Sequence, residues 1–336
     1  MCGTLRRAMS TGFPNRRFRR LRRTEHLRAM VRETALLPSD LIAPLFVKEN
    51  VPRPVPIPAM PGQVQHTPAS VVEECGALAE AGVSAVMLFG IPSHKDEAGT
   101  AAWDPEGVVQ QTLRRLRGEL GDRLVLIPDL CLCEYTSHGH CGVIRDGGVD
   151  NDATLEVYAR IALSYADAGA DFVAPSGMMD GQVGTIRGAL DAAGRAGVGI
   201  LAYGAKYASV FFEPFRHAAE SAPKFGDRRA YQMDPANADE AVREIQADID
   251  EGADIVMVKP ALPYLDVLRR VKTAFGMPTA AYHVSGEYAM LKAAAANGWL
   301  NETQAMFEVL TAIRRAGADL ILTYFARDAA ERLRKG

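Results

Sequence analysis

Short apolar runs recur along the chain from Leu41 onward, and between them lie longer segments whose apolar positions return with helical period. The runs Leu41 to Val47, Ala85 to Phe89, Leu124 to Ile127, Phe172 to Ala174, Ile200 to Tyr203, Ile255 to Val258, Thr279 to Tyr282 and Leu320 to Tyr324 predict eight strands. Several are apolar on consecutive residues, as parallel strands covered on both faces require, and most gaps are long enough for a crossover helix. Four strands share a lead-in: Ala81-Gly82-Val83-Ser84, Ala168-Gly169-Ala170-Asp171, Glu251-Gly252-Ala253-Asp254 and Ala316-Gly317-Ala318-Asp319. Each glycine is placed to end a helix in the left-handed conformation, and the small and polar residues after it make the turn. The repetition predicts an α/β fold, a (β/α)8 TIM barrel with an extended N-terminal arm, rather than an open doubly wound sheet. No glycine-rich phosphate fingerprint follows the first strand.

Composition narrows the function classes. A hydrophobic fraction of 48%, a charged fraction of 24% and a net charge of -3 create no global field for nucleic acid, and no apolar run is long enough to span a bilayer. The expectation is a soluble, cytoplasmic protein without nucleic-acid or membrane partners. Residues 1–35 read as an arm and 36–336 as the barrel. The first 24 residues carry eight arginines and no acid. A transit peptide and a nucleic-acid tail are both Arg-rich. A single serine, Ser10, and the residues Phe13, Pro14 and Phe18 favour instead an arm that pairs with a neighbouring subunit.

Candidate chemistry begins with Cys131, Cys133 and Cys141, three of the five cysteines, within the segment 129–141. Three thiolates in one loop can hold zinc and leave a fourth position open, the arrangement of a catalytic metal. His138 or His140 lies near enough in sequence to close a structural shell, and spacing alone leaves a disulfide open. Reactive groups of such barrels lie at the carboxyl ends of the strands. Those positions here read Asp129, Ser176, Lys206, Lys259, Ser285 and Tyr324. Lys259 closes the apolar run 255–258 and precedes Pro260, so its amine leaves a buried strand with little room to reach water. Burial and a second ammonium, Lys206, both disfavour its charged form and leave a neutral amine able to form a Schiff base with a ketone. The ordinary alternative is that each lysine is a solvated loop residue.

These residues together resemble the porphobilinogen synthase (5-aminolevulinate dehydratase) family from about Arg16 to the C-terminus. The segments that carry the resemblance are 129–142, Ala-Pro-Ser-Gly-Met-Met-Asp-Gly at 174–181, Ala-Lys-Tyr-Ala-Ser at 205–209, 226–237, Val-Met-Val-Lys-Pro at 256–260 and Val-Ser-Gly-Glu-Tyr-Ala-Met at 284–290. The resemblance implies condensation of two 5-aminolevulinate molecules to porphobilinogen, with loss of two waters, in tetrapyrrole biosynthesis. It implies Schiff bases on Lys259, for the substrate giving the propionate side of the product, and on Lys206, for the acetate side. It places Ser285 and Tyr324 on the first substrate's carboxylate, and Arg216, Arg228 and Gln232 on the second's. It places Asp129 and Ser176 near the first amino group, and Phe215 and Tyr282 among the substrate-binding residues. It implies catalytic Zn2+ on the three cysteines, a lid over about 206–232, a homo-octamer, and allosteric Mg2+ at Glu244 on a predicted helix Asp239 to Asp250.

The chain departs from the family pattern at four positions. Gly177 stands where Asp is usual, Gly204 where Ser is common, Glu213 where Gly is usual and His283 where Gln is common. Glu213 brings a carboxylate to a lid that must admit anionic substrate. Two readings compete with the resemblance. A class I aldolase-type barrel needs one lysine and no metal, and the cysteine loop argues against it. A nucleic-acid module acting through the arm would bind in a strongly salt-dependent way.

Overall fold

The computed structural model of the chain describes residues 17–335, so Arg6, Arg7, Arg16, Ser10, Phe13 and Pro14 of the predicted arm lie outside the described residues. The chain divides into two compact units, residues 1–35 and 36–336. In the described part of the first, a 3-10 helix, Phe18–Arg22, precedes the helix Glu25–Met30. Thr24 caps that helix by accepting from the Leu27 amide at 3.2 Å. None of its residues is buried.

The second unit is the barrel. The short strands Val55–Pro56, Val64–His66, Val143–Arg145 and Gly148–Asp150 lie outside it, and the strands that close it are β1 (Leu41–Lys48), β2 (Ala85–Ile91), β3 (Val125–Leu130), β4 (Phe172–Pro175), β5 (Gly199–Lys206), β6 (Ile255–Lys259), β7 (Thr279–His283) and β8 (Leu320–Thr323). Each pairs in parallel with the next, and β8 returns to β1 through Ile321 and Leu322, so the sheet closes. Every predicted strand is present, with shifts of one to three residues at some ends; the last stops at Thr323 rather than Tyr324. β2 and β7 are buried along their whole length, as a strand sandwiched between barrel interior and helices must be.

The four shared glycines adopt positive φ: 88° at Gly82, 99° at Gly169, 106° at Gly252 and 129° at Gly317. Only residues without a Cβ take that conformation at little cost. The aspartates that follow do more than turn the chain. Asp171 Oδ2 accepts the Leu126 amide at 2.8 Å, Asp254 Oδ2 the Ile200 amide at 2.8 Å, and Asp319 Oδ2 the Thr279 amide at 2.9 Å. Each clasps the start of the neighbouring strand and sets its register at the amino end of the barrel.

Candidate active site

At the opposite end, the register of β5 and β6 places Lys206 and Lys259 directly across from each other. Both are 5% exposed. Lys259 Nζ sits over the rings of Tyr282 (4.4 Å), Phe212 (5.0 Å), Tyr203 (5.1 Å) and Phe215 (5.2 Å). Burial, then the charge of Lys206, brings its pKa down to about 7, against the opposing pull of Asp129. Lys206 Nζ donates to the Ser176 carbonyl at 2.5 Å. The two amines differ in surroundings: one lies in an aromatic cage, the other on a polar anchor.

Asp129, the last residue but one of β3, lies among the same groups. Ser176 Oγ donates to its Oδ2 at 3.0 Å. Burial, then Glu134, raises this carboxyl to about 7, while the two lysines oppose that rise. Its Oδ1 has no partner. One cavity is lined by Asp129, Ser176, Lys206, Lys259, Arg216 and Arg228 together with Cys133 and Glu134.

Phe212, Phe215, Arg216 and Arg228, from the segment the sequence reads as a lid, line this cavity. Phe215 N donates to Ser285 Oγ at 3.0 Å, and Ser285 Oγ donates to the Phe211 carbonyl at 3.2 Å. A Cβ on Gly286 would stand 2.6 Å from that carbonyl, so glycine there lets the lid seat on the helix Ser285–Ala296. Glu287 accepts the Val284 amide at the start of that helix at 2.6 Å and the Leu262 amide after β6, also at 2.6 Å. Lys48 and Lys95 both bond Glu220, and Gln65 donates to the Ala218 carbonyl at 2.7 Å. Arg228 ties lid to cysteine loop by donating to the Ser221 and Gly139 carbonyls.

Cys131, Cys133 and Cys141 are buried, and their sulfurs lie within 4.8 Å of one another. Cys131 and Cys133 Sγ are 3.4 Å apart and all three thiols are free. Thiolates on a tetrahedral zinc would stand about 3.8 Å apart, given a Zn–S distance of about 2.3 Å, so the cluster fits such an ion. Donation from Cys131 and Cys133, then the charges of Arg228 and Lys206, holds Cys141 well below the usual thiol range. The histidines do not join the cluster. His138 Nε2 faces the Glu97 carbonyl at 3.2 Å and its Nδ1 accepts the His140 amide, while His140 bonds Tyr231 OH and the Phe225 carbonyl. Spacing left them open as ligands, and their hydrogen bonds take them elsewhere.

Tyr282 and Tyr324 share a hydroxyl bond of 2.9 Å behind the aromatic cage. Gln232 is buried with neither amide atom partnered, and it lines a second cavity beside Tyr231, Asp180, Glu240 and Glu244. Glu244 is on the helix Asp239–Asp250, as the sequence predicts, and burial with Asp180 and Glu240 raises its carboxyl. Among the described residues, only the three cysteines form a close group of metal donors. Arg216 Nη1 donates to Glu213 at 2.9 Å, so the unusual acid occupies a guanidinium edge. His283 is buried and neutral, its pKa brought down to about 3 by burial, with Nδ1 on Thr323 Oγ1. A Cβ on Gly204 would meet Asp248 Oδ2 at 2.6 Å. Sequence reasoning missed Tyr203, Phe212, Phe89 and Glu134. Only Glu134 carried a signal, being the acid inside the cysteine motif.

The sequence profile of the family described as Delta-aminolevulinic acid dehydratase matches residues 15–332. The chain belongs to that family. It is 55% identical to the Delta-aminolevulinic acid dehydratase of Archaeoglobus fulgidus over 96% of this chain and 99% of that one. It is 57% identical to that of Streptomyces coelicolor over 96% and 98%. A crystal structure of the enzyme from Toxoplasma gondii, in complex with the reaction product porphobilinogen, superposes with a TM-score of 0.92 at 44% identity, covering 94% of this chain and 91% of that one. Family membership makes the chain a hydro-lyase, a 5-aminolevulinate dehydratase that forms porphobilinogen. Among the described residues no helix is long and apolar enough to cross a membrane.

Proposed function

We propose that the paired lysines run the condensation of two 5-aminolevulinate molecules to porphobilinogen and two waters, each lysine holding one substrate as an imine. The observation that carries this reading is the pairing itself: Lys259, with a pKa of about 7, stands across the β5–β6 register from Lys206 in one buried cavity. A neutral Lys259 amine attacks the ketone of the first substrate; the C–N bond forms and the carbonyl oxygen leaves as water. Lys206 does the same for the second substrate. Ser285 and Tyr324 hold the first carboxylate, with Phe215 and Tyr282 against the chain. Arg216, Arg228 and Gln232 hold the second, whose charge suits buried polar atoms left without partners on all three residues. Asp129 and Ser176 orient the first amino group, and a carboxyl poised near neutrality can take or return its proton. The lid, about 206–232, excludes water while the imines persist.

Cys131, Cys133 and Cys141 hold zinc in this reading. When bound, the ion acts as a Lewis acid on the second substrate. Glu244 is assigned to an allosteric magnesium, which commonly keeps several waters and needs one or two carboxylates. The arm wraps a neighbouring barrel, the assembly is a homo-octamer, and the enzyme works in the cytoplasm on a small-molecule substrate. The decisive experiment incubates the full chain with 5-aminolevulinate and follows pyrrole by its colour with an aldehyde reagent. Chelation is expected to abolish the colour, zinc to restore it and magnesium alone not to. Full activity in a metal-free preparation overturns the zinc assignment, and borohydride adducts found only on other lysines overturn the imine assignment.

A further inference from the structure

We propose that Tyr158 is a positioning residue for the metal centre, and that Gly177 gives it the room to act. The proposal rests on the reading of the three cysteines as zinc ligands. The helix Asn151–Asp167 presents two side chains one turn apart to the end of the cysteine loop. Tyr158 OH donates to the Cys141 carbonyl at 2.7 Å, and Thr154 Oγ1 accepts the Val143 amide at 3.0 Å. The two bonds bracket Gly142, where a Cβ would come within 2.5 Å of Thr154 Oγ1. The backbone that follows the third thiol is thereby pinned on both sides of Gly142 by one helix.

Tyr158 is fully buried, and its hydroxyl occupies the place of a side chain at position 177: a Cβ on Gly177 would lie 1.8 Å from that oxygen and 2.7 Å from the ring carbon bearing it. The φ of Gly177 is not left-handed, so space, not backbone conformation, demands glycine there. Any side chain at position 177 would force the Tyr158 hydroxyl to move. Gly177 also follows Ser176, whose carbonyl anchors Lys206 and whose hydroxyl bonds Asp129. Tyr158 thus touches both the metal loop and the turn that anchors the second lysine.

Groups that orient metal ligands typically change metal affinity by about 10 to 100-fold when removed. Zinc dissociation constants of the full-length protein, measured against a chromophoric chelator, are expected to rise on the order of tenfold in Tyr158→Phe. Gly177→Ala, which changes no polar group, is expected to rise similarly by displacing the hydroxyl. In a Tyr158→Leu background, Gly177→Ala should add little, because the two positions act as one. The cobalt-substituted protein should show an altered thiolate absorption band in Tyr158→Phe. A purely structural tyrosine would lower the melting temperature of the metal-free protein and leave the zinc constant alone, and that result overturns the proposal. Wild-type protein that takes up no zinc overturns the metal assignment as well.

Discussion

At the amino ends of the strands Asp171, Asp254 and Asp319 each accept a neighbouring backbone amide, whereas at the carboxyl ends Asp129, Arg216, Arg228 and Gln232 each keep a buried polar atom without a partner. The first rim repeats one motif and adds cations to it: Arg117 pairs with Asp171 at 2.7 Å, and Lys272 and Arg314 pair with Asp319. The second repeats nothing. There, two lysines share a register and three thiols crowd together, arrangements that cost stability unless substrate and metal complete them. One end of the barrel is held by a repeated hydrogen bond and its ion pairs, and the other keeps polar atoms that a bound molecule can meet.

The largest effect expected of breaking this contrast is that of Lys259→Met. Turnover should fall by more than about a thousandfold, as removal of a covalent catalyst does, and the borohydride adduct at that site should vanish. Stability should move the other way. The folded pKa of Lys259, about 7, lies below its unfolded value, so the unfolded chain holds more protons between them and stability rises with pH across that window. Methionine removes both the cost and the slope. Melting curves at pH 7 and pH 9 check this, and a wild-type protein whose stability is flat between them contradicts it.

Lys206→Met sharpens the same rim. Loss of the neighbouring ammonium should move the pH midpoint for trapping an imine at Lys259 upward, read by mass spectrometry of borohydride-treated protein. An unmoved midpoint would mean that burial alone sets it.

Asp319→Asn tests the amino rim. Despite burial, bonds from Lys272 and the Thr279 amide hold this carboxyl below its ordinary value. Its stabilisation is therefore present above the unfolded carboxylate pKa and lost as pH falls through the folded one. The variant should lose about 1 to 2 kcal/mol at neutral pH, keep its kcat, and converge on wild type in acid. A fall in kcat at unchanged stability would erase the distinction between the rims.

The smallest effect belongs to Glu213→Gly. Freeing Arg216 from its 2.9 Å partner should lower KM a few-fold with kcat nearly unchanged, because the ion pair is half solvated and weak. Steady-state kinetics at low ionic strength decide it.

The number and order of strands, the turn glycines, the two lysines and the cysteine trio were legible in the sequence alone. Those features are local: consecutive apolar residues, a left-handed turn, an amine closing a buried strand and thiols a few residues apart each carry their chemistry in short segments. The family resemblance supplied the expected roles of the arginines, Gln232 and the lid. Tertiary structure alone decided the rest. The Asp171, Asp254 and Asp319 clasps join the turn before one strand to the start of the preceding strand, 40 to 54 residues back, so no single segment displays them. The cage around Lys259 draws Tyr203, Phe212, Phe215 and Tyr282 from three separate stretches of chain. His138 and His140 stand beside the cysteines in sequence, yet their hydrogen bonds turn them away. Gly177 looked like a missing aspartate until the fold brought Tyr158 against it from 19 residues away. Periodicity and spacing report what a segment can do with its own neighbours; which distant side chain fills a given space depends on close packing, which exists only once the barrel has closed.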